Sequence, residues 1–249
     1  MLLNEQLAVS AKPRLSVRVA TETRDIRRAQ KLRFDVFAGE MGAELATREP
    51  GIDSDEYDEL CDHLIVEDAV SGLVVGTYRM LSPDNARRAP SLYSEHEFDL
   101  ARLTHLRAGL IEVGRSCVHR DFRSGAVIAL LWSGLADYVQ QHGGQYLAGC
   151  ASVSLSDGGH QAVSLYRQLE AKHLSPAEWH VFPHLPLPLD RVCDDAPSAP
   201  MPALIKGYLR AGAYICGEPA WDPDFNCADF FMLLPMSRLS GRYNKHFVG

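Results

Sequence analysis

Apolar residues recur with two different periods along the chain, and these periods divide it into predicted strands and helices. Apolar side chains occupy every second position in residues 15–20, as in a half-buried strand. From Ile26 to Phe37 they recur every three or four residues, which predicts an amphipathic helix ending near Ala38. The same reasoning gives a hairpin of strands 63–68 and 73–81, a strand at 109–118, a helix at 124–142, a strand at 145–153, helices at 160–171 and 203–211, and a last strand at 226–234.

Strands and helices in this order predict an α/β (α+β) fold, with helices on both faces of one mixed sheet. The length of 249 residues suits one large domain. We predict a flexible tail at residues 1–14 and a single domain at residues 15–249. Within that domain, we expect a proline-rich insertion at about residues 174–200 and a distinct C-terminal part at residues 201–249.

Charge is distributed unevenly along the chain. The formal net charge of −7 argues against nucleic acid as a partner. Residues 40–68 contain eleven acidic residues and one basic residue, Arg48. Most of these charges are expected to form a solvated surface, and a few within residues 53–58 to form a seat for a cationic amine. Residues 79–123 are different, because they carry eight Arg against six acidic residues.

The composition also bears on location and metal content. Six cysteines without metal-ligand spacing indicate reduced thiols rather than a disulfide framework or a metal site. Residues 1–10 lack the basic and apolar regions of a signal peptide, and no apolar run is long enough to span a bilayer. We therefore expect a cytoplasmic protein without a metal or a bound cofactor, in peripheral contact with the inner membrane surface at most.

The most informative stretch is a predicted strand that leads through a turn rich in Arg and Gly into the helix at 124–142. Glu112 and Arg115 are three residues apart on this strand, so their side chains face opposite sides unless a bulge intervenes. Gly114 permits such a bulge. The two residues form either a structural ion pair or part of a reactive site. The helix start exposes backbone N–H groups, so residues 120–126 are a candidate phosphate seat.

Several motifs resemble known acyltransferases. The turn at residues 120–126 is similar to the pyrophosphate-binding turn of the GNAT acyltransferase superfamily, with Arg123 in place of its first glycine. The chain also resembles acyl-homoserine lactone synthases, a branch of that superfamily that takes acyl groups from acyl carrier protein. That resemblance rests on the order of seven residues: Arg33, Phe37, Asp55, Asp58, Arg79, Glu112 and Arg115.

A longer resemblance is to ornithine N-acyltransferases, the haemolysin-like enzymes of ornithine-lipid synthesis. Its most specific motif is Lys-Gly-Tyr-Leu-Arg-Ala-Gly-Ala at residues 206–213, and further matching motifs lie at residues 34–37, 61–64, 149–152, 219–222 and 224–229. This resemblance implies a GNAT-like, mostly antiparallel twisted sheet. It also implies transfer of a long, 3-hydroxylated acyl chain from acyl carrier protein to the α-amine of ornithine, which gives lyso-ornithine lipid.

The resemblance assigns roles to individual residues. Glu112 is the expected general base. The substrate-binding residues are expected to be Arg33, Phe37, Asp55, Asp58, Arg79 and Arg115. The residues that bind the acyl donor are expected to be Arg120, Arg123, Ser124, Gly125 and Ala126. Asp55 and Asp58 either hold the cationic end of the substrate or support the first helix. Arg33, Arg79 and Arg115 either fix the substrate carboxylate or hold the acidic loop, within residues 40–68, in place.

The expected partners are acyl carrier protein and ornithine. Acyl carrier proteins are acidic, so the excess of Arg in residues 79–123 is consistent with a docking surface for one. Arg123, at a position where the usual turn has Gly, favours a carrier-protein donor over coenzyme A. The alternatives are acylation of another amino acid or amine (glycine, tyrosine or a homoserine lactone precursor), a coenzyme A thioester donor, or a non-enzymatic protein that acts on membranes.

Overall fold

The computed structural model describes residues 14–47, 49–190 and 201–239. Its strands are β1 (Leu15–Val19), β2 (Asp62–Asp68), β3 (Leu73–Leu81), β4 (Phe98–Asp99), β5 (Leu110–Val118), β6 (Tyr146–Ser154), β7 (Phe182–Pro183), β8 (Tyr214–Ile215), β9 (Ala220–Asp222) and β10 (Cys227–Pro235). Its α-helices are α1 (Thr23–Phe37), α2 (Pro83–Ala86), α3 (Ala126–Gln141), α4 (His160–His173) and α5 (Ala203–Ala211). Nearly all of the predicted tail, and residues 191–200 of the predicted insertion, lie outside the described residues.

One eight-stranded sheet organises the fold. Its order is β1-β2-β3-β5-β6-β10-β8, and β9 pairs with β10 beside it. Only the β5–β6 pair is parallel among these described strands, and the others are antiparallel. The prediction of a mixed, mostly antiparallel sheet is confirmed. The two-residue strands β4 and β7 pair with each other outside this sheet.

Helices cover both faces of the sheet, as predicted. Strand β2 shows the reason, because its consecutive side chains point to opposite faces. Leu64 packs with Leu131 and Leu135 of α3, in a core that also receives side chains from α4 and α5. Ile65 packs on the other face with Ala29 of α1. All five side chains are buried.

The segment between β3 and β5 has little apolar periodicity, but it is ordered by short helical turns. Short 3₁₀-helices occupy Tyr93–His96 and Ala101–Gly109. The segment is fixed by Phe98, which is fully buried and packs edge-to-face on Phe231 with ring centroids 5.8 Å apart. It therefore lies against the same face of the sheet as α1, next to Leu110 at the start of β5.

Strands β5 and β6 pair only at their beginnings. The ladder joins Leu110–Glu112 to Tyr146–Ala148 and ends there. The next residue of β6, Gly149, approaches β5 so closely that an added Cβ atom would lie 2.0 Å from the carbonyl oxygen of Val113. The two strands separate beyond this point and leave an opening in the sheet.

A bulge in β5 lies at the same level. On β3, Thr77 pairs with Cys117 and Arg79 with Gly114, so two residues of β5 face one residue of β3. The positive φ of the bulge, 52°, belongs to Arg115 rather than to Gly114. The bulge anticipated from Gly114 is therefore present, and it turns the Arg115 side chain toward the same side of the sheet as Glu112.

Candidate active site

Glu112 lies at the point where β5 and β6 separate. Its side chain is buried, and its two carboxylate oxygens accept hydrogen bonds from the backbone N–H groups of Tyr93 (2.7 Å) and Ser94 (2.8 Å). Burial raises the pKa of Glu112, and the hydrogen bonds from Ser94 and Tyr93 partly oppose that shift. The carboxylate is thus held in one orientation with a raised affinity for protons.

An open cleft passes through the gap between the two strands. On the α1 face of the sheet its walls include Phe37, Arg79, Glu112 and Arg115. The wall contains residues of the opposite face too: Tyr78, Val113 and Leu204. A chain-like ligand that enters on one face can therefore reach the other face without leaving the cleft.

Three arginines and three aspartates form one charge network, which reaches the cleft at Arg79 and Arg115 and otherwise lies behind it. Arg33 has no exposed surface, and it donates to the Asp53 carboxylate (2.7 Å) and to both oxygens of Asp58 (2.6 and 3.0 Å). Arg79 donates to Asp55 at 2.6 Å. The acidic loop is therefore bound to helix α1 and to strand β3 by its aspartates.

Arg115 joins this network to the cleft. Its Nε atom lies 3.3 Å from the Asp53 carboxylate, and its Nη1 atom donates to the hydroxyl of Tyr93 at 2.9 Å. Its guanidinium also lies over the Phe225 ring, 4.7 Å from the centroid, and over the ring of Tyr93 at 4.9 Å. These contacts fix the guanidinium at the edge of the cleft, beside the residue that holds Glu112.

The charges of the network favour its ionised form. Burial opposes ionisation of Asp58, but the hydrogen bonds and charge of Arg33 outweigh burial and lower the pKa of Asp58 to about 2. Burial also opposes the charge of Arg33, and the carboxylates of Asp58 and Asp53 raise its pKa above the ordinary value. The aspartates and arginines thus form a closed set of compensating charges.

The predicted donor residues lie at the start of α3. Gly125 is its N-cap residue with φ of 98°, and neither Ser124 nor any other side chain caps this described helix end. Arg123 donates to the carbonyl oxygen of Val118 at 3.1 Å and to Glu40 at 2.9 Å. Arg120 lies 3.7 Å from the same carboxylate, and its side chain is 64% exposed. Ser124, Gly125 and Ala126 are exposed.

The site residues predicted from the sequence therefore lie in three places. Phe37, Arg79, Glu112 and Arg115 line the cleft, whereas Arg33, Asp55 and Asp58 lie in the charge network behind it, and the donor residues lie at the start of α3. Two pairs of residues in the site were not predicted as site residues. Tyr93 and Ser94 come from a segment without periodicity, and Asp222 and Asp229 lie in β9 and β10 at the far wall of the cleft.

Comparisons with known proteins show the family of this chain. Residues 32–133 match the model of an acetyltransferase (GNAT) domain. The chain is 36% identical to an L-ornithine N(alpha)-acyltransferase of Brucella abortus (strain 2308), over 94% of this chain and 88% of that protein. It is 35% identical to the enzyme of the same name from Rhodobacter capsulatus, over 93% of this chain and 94% of that protein.

The chain belongs to the L-ornithine N(alpha)-acyltransferase family. It is therefore an acyltransferase, and the family resemblance inferred from its motifs is confirmed. The crystal structure of the AHL synthase LasI shares the fold, with a TM-score of 0.55, 14% identity, and coverage of 92% of this chain and 96% of that one. The described helices include none with the length and apolarity required to cross a membrane.

Proposed function

We propose that this acyltransferase moves a long, 3-hydroxylated acyl chain from acyl carrier protein to the α-amine of ornithine, giving lyso-ornithine lipid. The observation that carries the proposal is the position of Glu112, a buried carboxylate in the wall of a cleft that passes through the sheet. The relatives named L-ornithine N(alpha)-acyltransferase supply the identity of the amine.

Glu112 acts as the general base in this proposal. An α-amine is largely protonated near neutral pH, so it must lose a proton before it attacks a thioester. The raised pKa of Glu112 suits it to accept that proton, directly or through a water molecule. The new C–N bond forms as the amine attacks, and the C–S bond then breaks. The departing thiolate receives the proton, so no covalent enzyme intermediate is needed.

The gap between β5 and β6 provides the path for the acyl donor. The thioester lies at the level of Glu112, where the parallel ladder ends, and the acyl chain continues toward Tyr78 and Leu204 on the opposite face. Backbone N–H groups near Gly114 or in the open part of β6 are candidates to stabilise the oxyanion. Phe37 and Phe225 pack edge-to-face at the cleft wall and help to exclude water.

The arginines position the amino acid. Arg79 and Arg115 line the cleft and fix the substrate carboxylate, while Asp55 holds Arg79 in place with a 2.6 Å hydrogen bond. Arg33 and Asp58 act further back, by binding the acidic loop to α1. This division follows from position, because Arg79 and Arg115 line the cleft, whereas Arg33 is completely buried and does not line it.

The start of α3 receives the phosphate of the donor's phosphopantetheine arm. Exposed N–H groups at the N-terminus of an α-helix favour a phosphate, and Arg120 and Arg123 add positive charge beside residues 124–126. Coenzyme A presents the same arm, so a coenzyme A thioester is the second candidate donor.

An assay with purified protein tests the proposal. Free thiol release is measured with 3-hydroxyacyl carrier protein and with the matching coenzyme A thioester, each in the presence of ornithine, glycine or tyrosine. We expect the highest kcat/KM for the carrier protein with ornithine, and mass spectrometry should identify lyso-ornithine lipid. A clear preference for another amine, or for coenzyme A, contradicts the corresponding part of the proposal.

A further inference from the structure

The far wall of the cleft contains two buried carboxylates that the proposed mechanism does not use. Asp229 of β10 is 5% exposed and Asp222 of β9 is 8% exposed, and both line the cleft. The register pairs Asp222 with Cys227, two residues before Asp229 on the same face. One ligand atom of each of these three side chains lies within 4.8 Å of the others.

These carboxylates have no close ion-pair partner among the described residues, although the charge of Arg115 lowers the pKa of both from a greater distance. Within the part of the chain that the structure describes, no Lys, Arg or His nitrogen lies within 4.0 Å of Asp222 or Asp229. The Asp222 carboxylate accepts hydrogen bonds from the backbone N–H groups of Asp224 (2.9 Å) and Phe225 (3.0 Å). Arg115 faces the same cleft, but its nearest carboxylates are Asp53 and Asp55. A buried carboxylate without a cation is unfavourable, so this wall of the cleft favours a positively charged ligand group.

The pKa values of the carboxyl groups at this wall are raised, as their burial predicts. Burial, with the nearby charge of Asp222, raises the pKa of Asp229 to about 6. Glu97, which is half-buried beside the pair, has a pKa raised to about 7 by burial and by the charges of Asp222 and Asp229. The charge of Arg115 opposes these shifts for Asp222 and Asp229, but burial outweighs it.

The path from Glu112 to Asp229 follows one face of strand β6, because Glu112 pairs with Ala148 and Asp229 pairs with Ser152. Ser94, which holds Glu112, has its hydroxyl oxygen 3.6 Å from the Cys150 sulfur. Cys150 precedes Ser152 by two residues, about 7 Å along a strand, and Ser152 pairs directly with Asp229. One end of the cleft thus has a base, and the other has two carboxylates, along the same face of β6.

We infer that Asp222 and Asp229 bind the side-chain ammonium of the amino-acid substrate and so determine its selectivity for a diamino acid. The inference rests on the proposed function, because it places the α-amine at Glu112 and the carboxylate at Arg79 and Arg115. The three methylenes of the ornithine side chain then extend along Cys150 toward Asp229. Amino acids with apolar side chains would leave both carboxylates without a cation.

The test compares ornithine with norvaline, which has the same side-chain carbons but no terminal amine. Wild-type enzyme should prefer ornithine in kcat/KM by about 10²-fold or more, because norvaline leaves both buried carboxylates without a cation. Asp229→Asn and Asp222→Asn should each reduce this preference to less than about tenfold, through a loss with ornithine and little change with norvaline. Asp224→Asn, an exposed carboxylate of the same segment, is the control and should keep the wild-type preference.

The outcomes separate this inference from the proposed function. If wild-type enzyme does not acylate ornithine, the proposed function itself fails. If it does, and a folded Asp229→Asn variant keeps the full preference over norvaline, the inference is overturned. Two variants are tested so that misfolding of one does not prevent the comparison. Either variant is sufficient if it melts cooperatively. Loss of the wild-type preference after treatment with a chelator would also overturn it, since a metal ion would then occupy the cluster.

Discussion

Asp58 binds the buried guanidinium of Arg33 through both carboxylate oxygens, at 2.6 and 3.0 Å. The pair joins the acidic loop to helix α1, and it supports Arg79 and Arg115 through the neighbouring aspartates. The acidic loop, part of the segment 40–68 with its eleven acidic residues and one basic residue, is therefore ordered around the site rather than wholly solvated.

Removal of this guanidinium should destabilise the fold. Arg33→Met leaves Asp53 and Asp58 buried without a cation, and we expect a loss of about 3–5 kcal/mol in the free energy of unfolding. Chemical denaturation of the variant and the wild type measures this loss of stability. Lys31→Met removes a cation from the same helix, but the Lys31–Asp35 pair is exposed and should contribute little. Equal stability of the two variants would contradict the structural importance of the network.

Asp229 should make stability depend on pH. Its pKa is about 6 in the folded protein and near 3.8 when unfolded, so the folded state retains the proton longer. Its contribution is fully present below about pH 4 and is lost as pH rises through about 6, by up to about 3 kcal/mol. Asp229→Asn should therefore gain stability relative to wild type between pH 4 and 7 in denaturation titrations. A difference that stays constant across this range would show that the pKa of Asp229 is not raised.

Gly149 should be needed for the close approach of β6 to β5 at the point where the two strands begin to separate. Its substitution by Ala places a Cβ atom 2.0 Å from the Val113 carbonyl, so the backbone must shift. We expect Gly149→Ala to lower the free energy of unfolding by about 1–3 kcal/mol. Gly114→Ala is the matched variant on the facing strand, where an added Cβ meets no atom within 4 Å, and its stability should be close to wild type. Thermal melts of both variants make the comparison, and a well-tolerated Gly149→Ala would argue against the close approach.

Arg120 should contribute to docking of the carrier protein. Its side chain is exposed beside the start of α3, so Arg120→Glu should raise the KM for acyl carrier protein about tenfold at low salt. The effect should shrink as salt is added, since exposed charges are screened, and the KM for ornithine should stay unchanged. Arg24→Glu makes the same charge change on an exposed part of α1. If both variants behave alike, the start of α3 is not a specific docking site.

The sequence predicted the main elements of the fold because their apolar periods are long and clear. The strands at 109–118 and 145–153 and the helix at 203–211 match β5, β6 and α5 within one residue at each end. Strands β8 and β9 have only two and three residues, too few for a period to be recognised. Their positions depend on pairing with β10, which is a tertiary contact.

The site was predictable only in part, for similar reasons. Glu112 and Arg115 stand on a recognisable strand, and a bulge was expected because Gly114 lies between them. The sequence could not show that Arg115 itself adopts the positive φ. Tyr93 and Ser94 reach Glu112 through backbone N–H groups, which carry no signature of residue type.

The role of Glu112 is tested by the rate of acyl transfer in Glu112→Gln. Glu95→Gln is its matched control, because Glu95 also accepts a backbone N–H, from Leu92 at 2.7 Å, but does not line the cleft. Single-turnover thiol release with saturating acyl carrier protein and ornithine isolates the chemical step. Melting curves establish that both variants are folded.

If Glu112 is the base, Glu112→Gln should lose about 10²–10⁴-fold in rate, whereas Glu95→Gln should remain close to wild type. The fall in wild-type rate at acidic pH, where Glu112 becomes protonated, should also disappear in Glu112→Gln. A folded Glu112→Gln enzyme with near-normal turnover and an unchanged pH profile would show that Glu112 is not the general base.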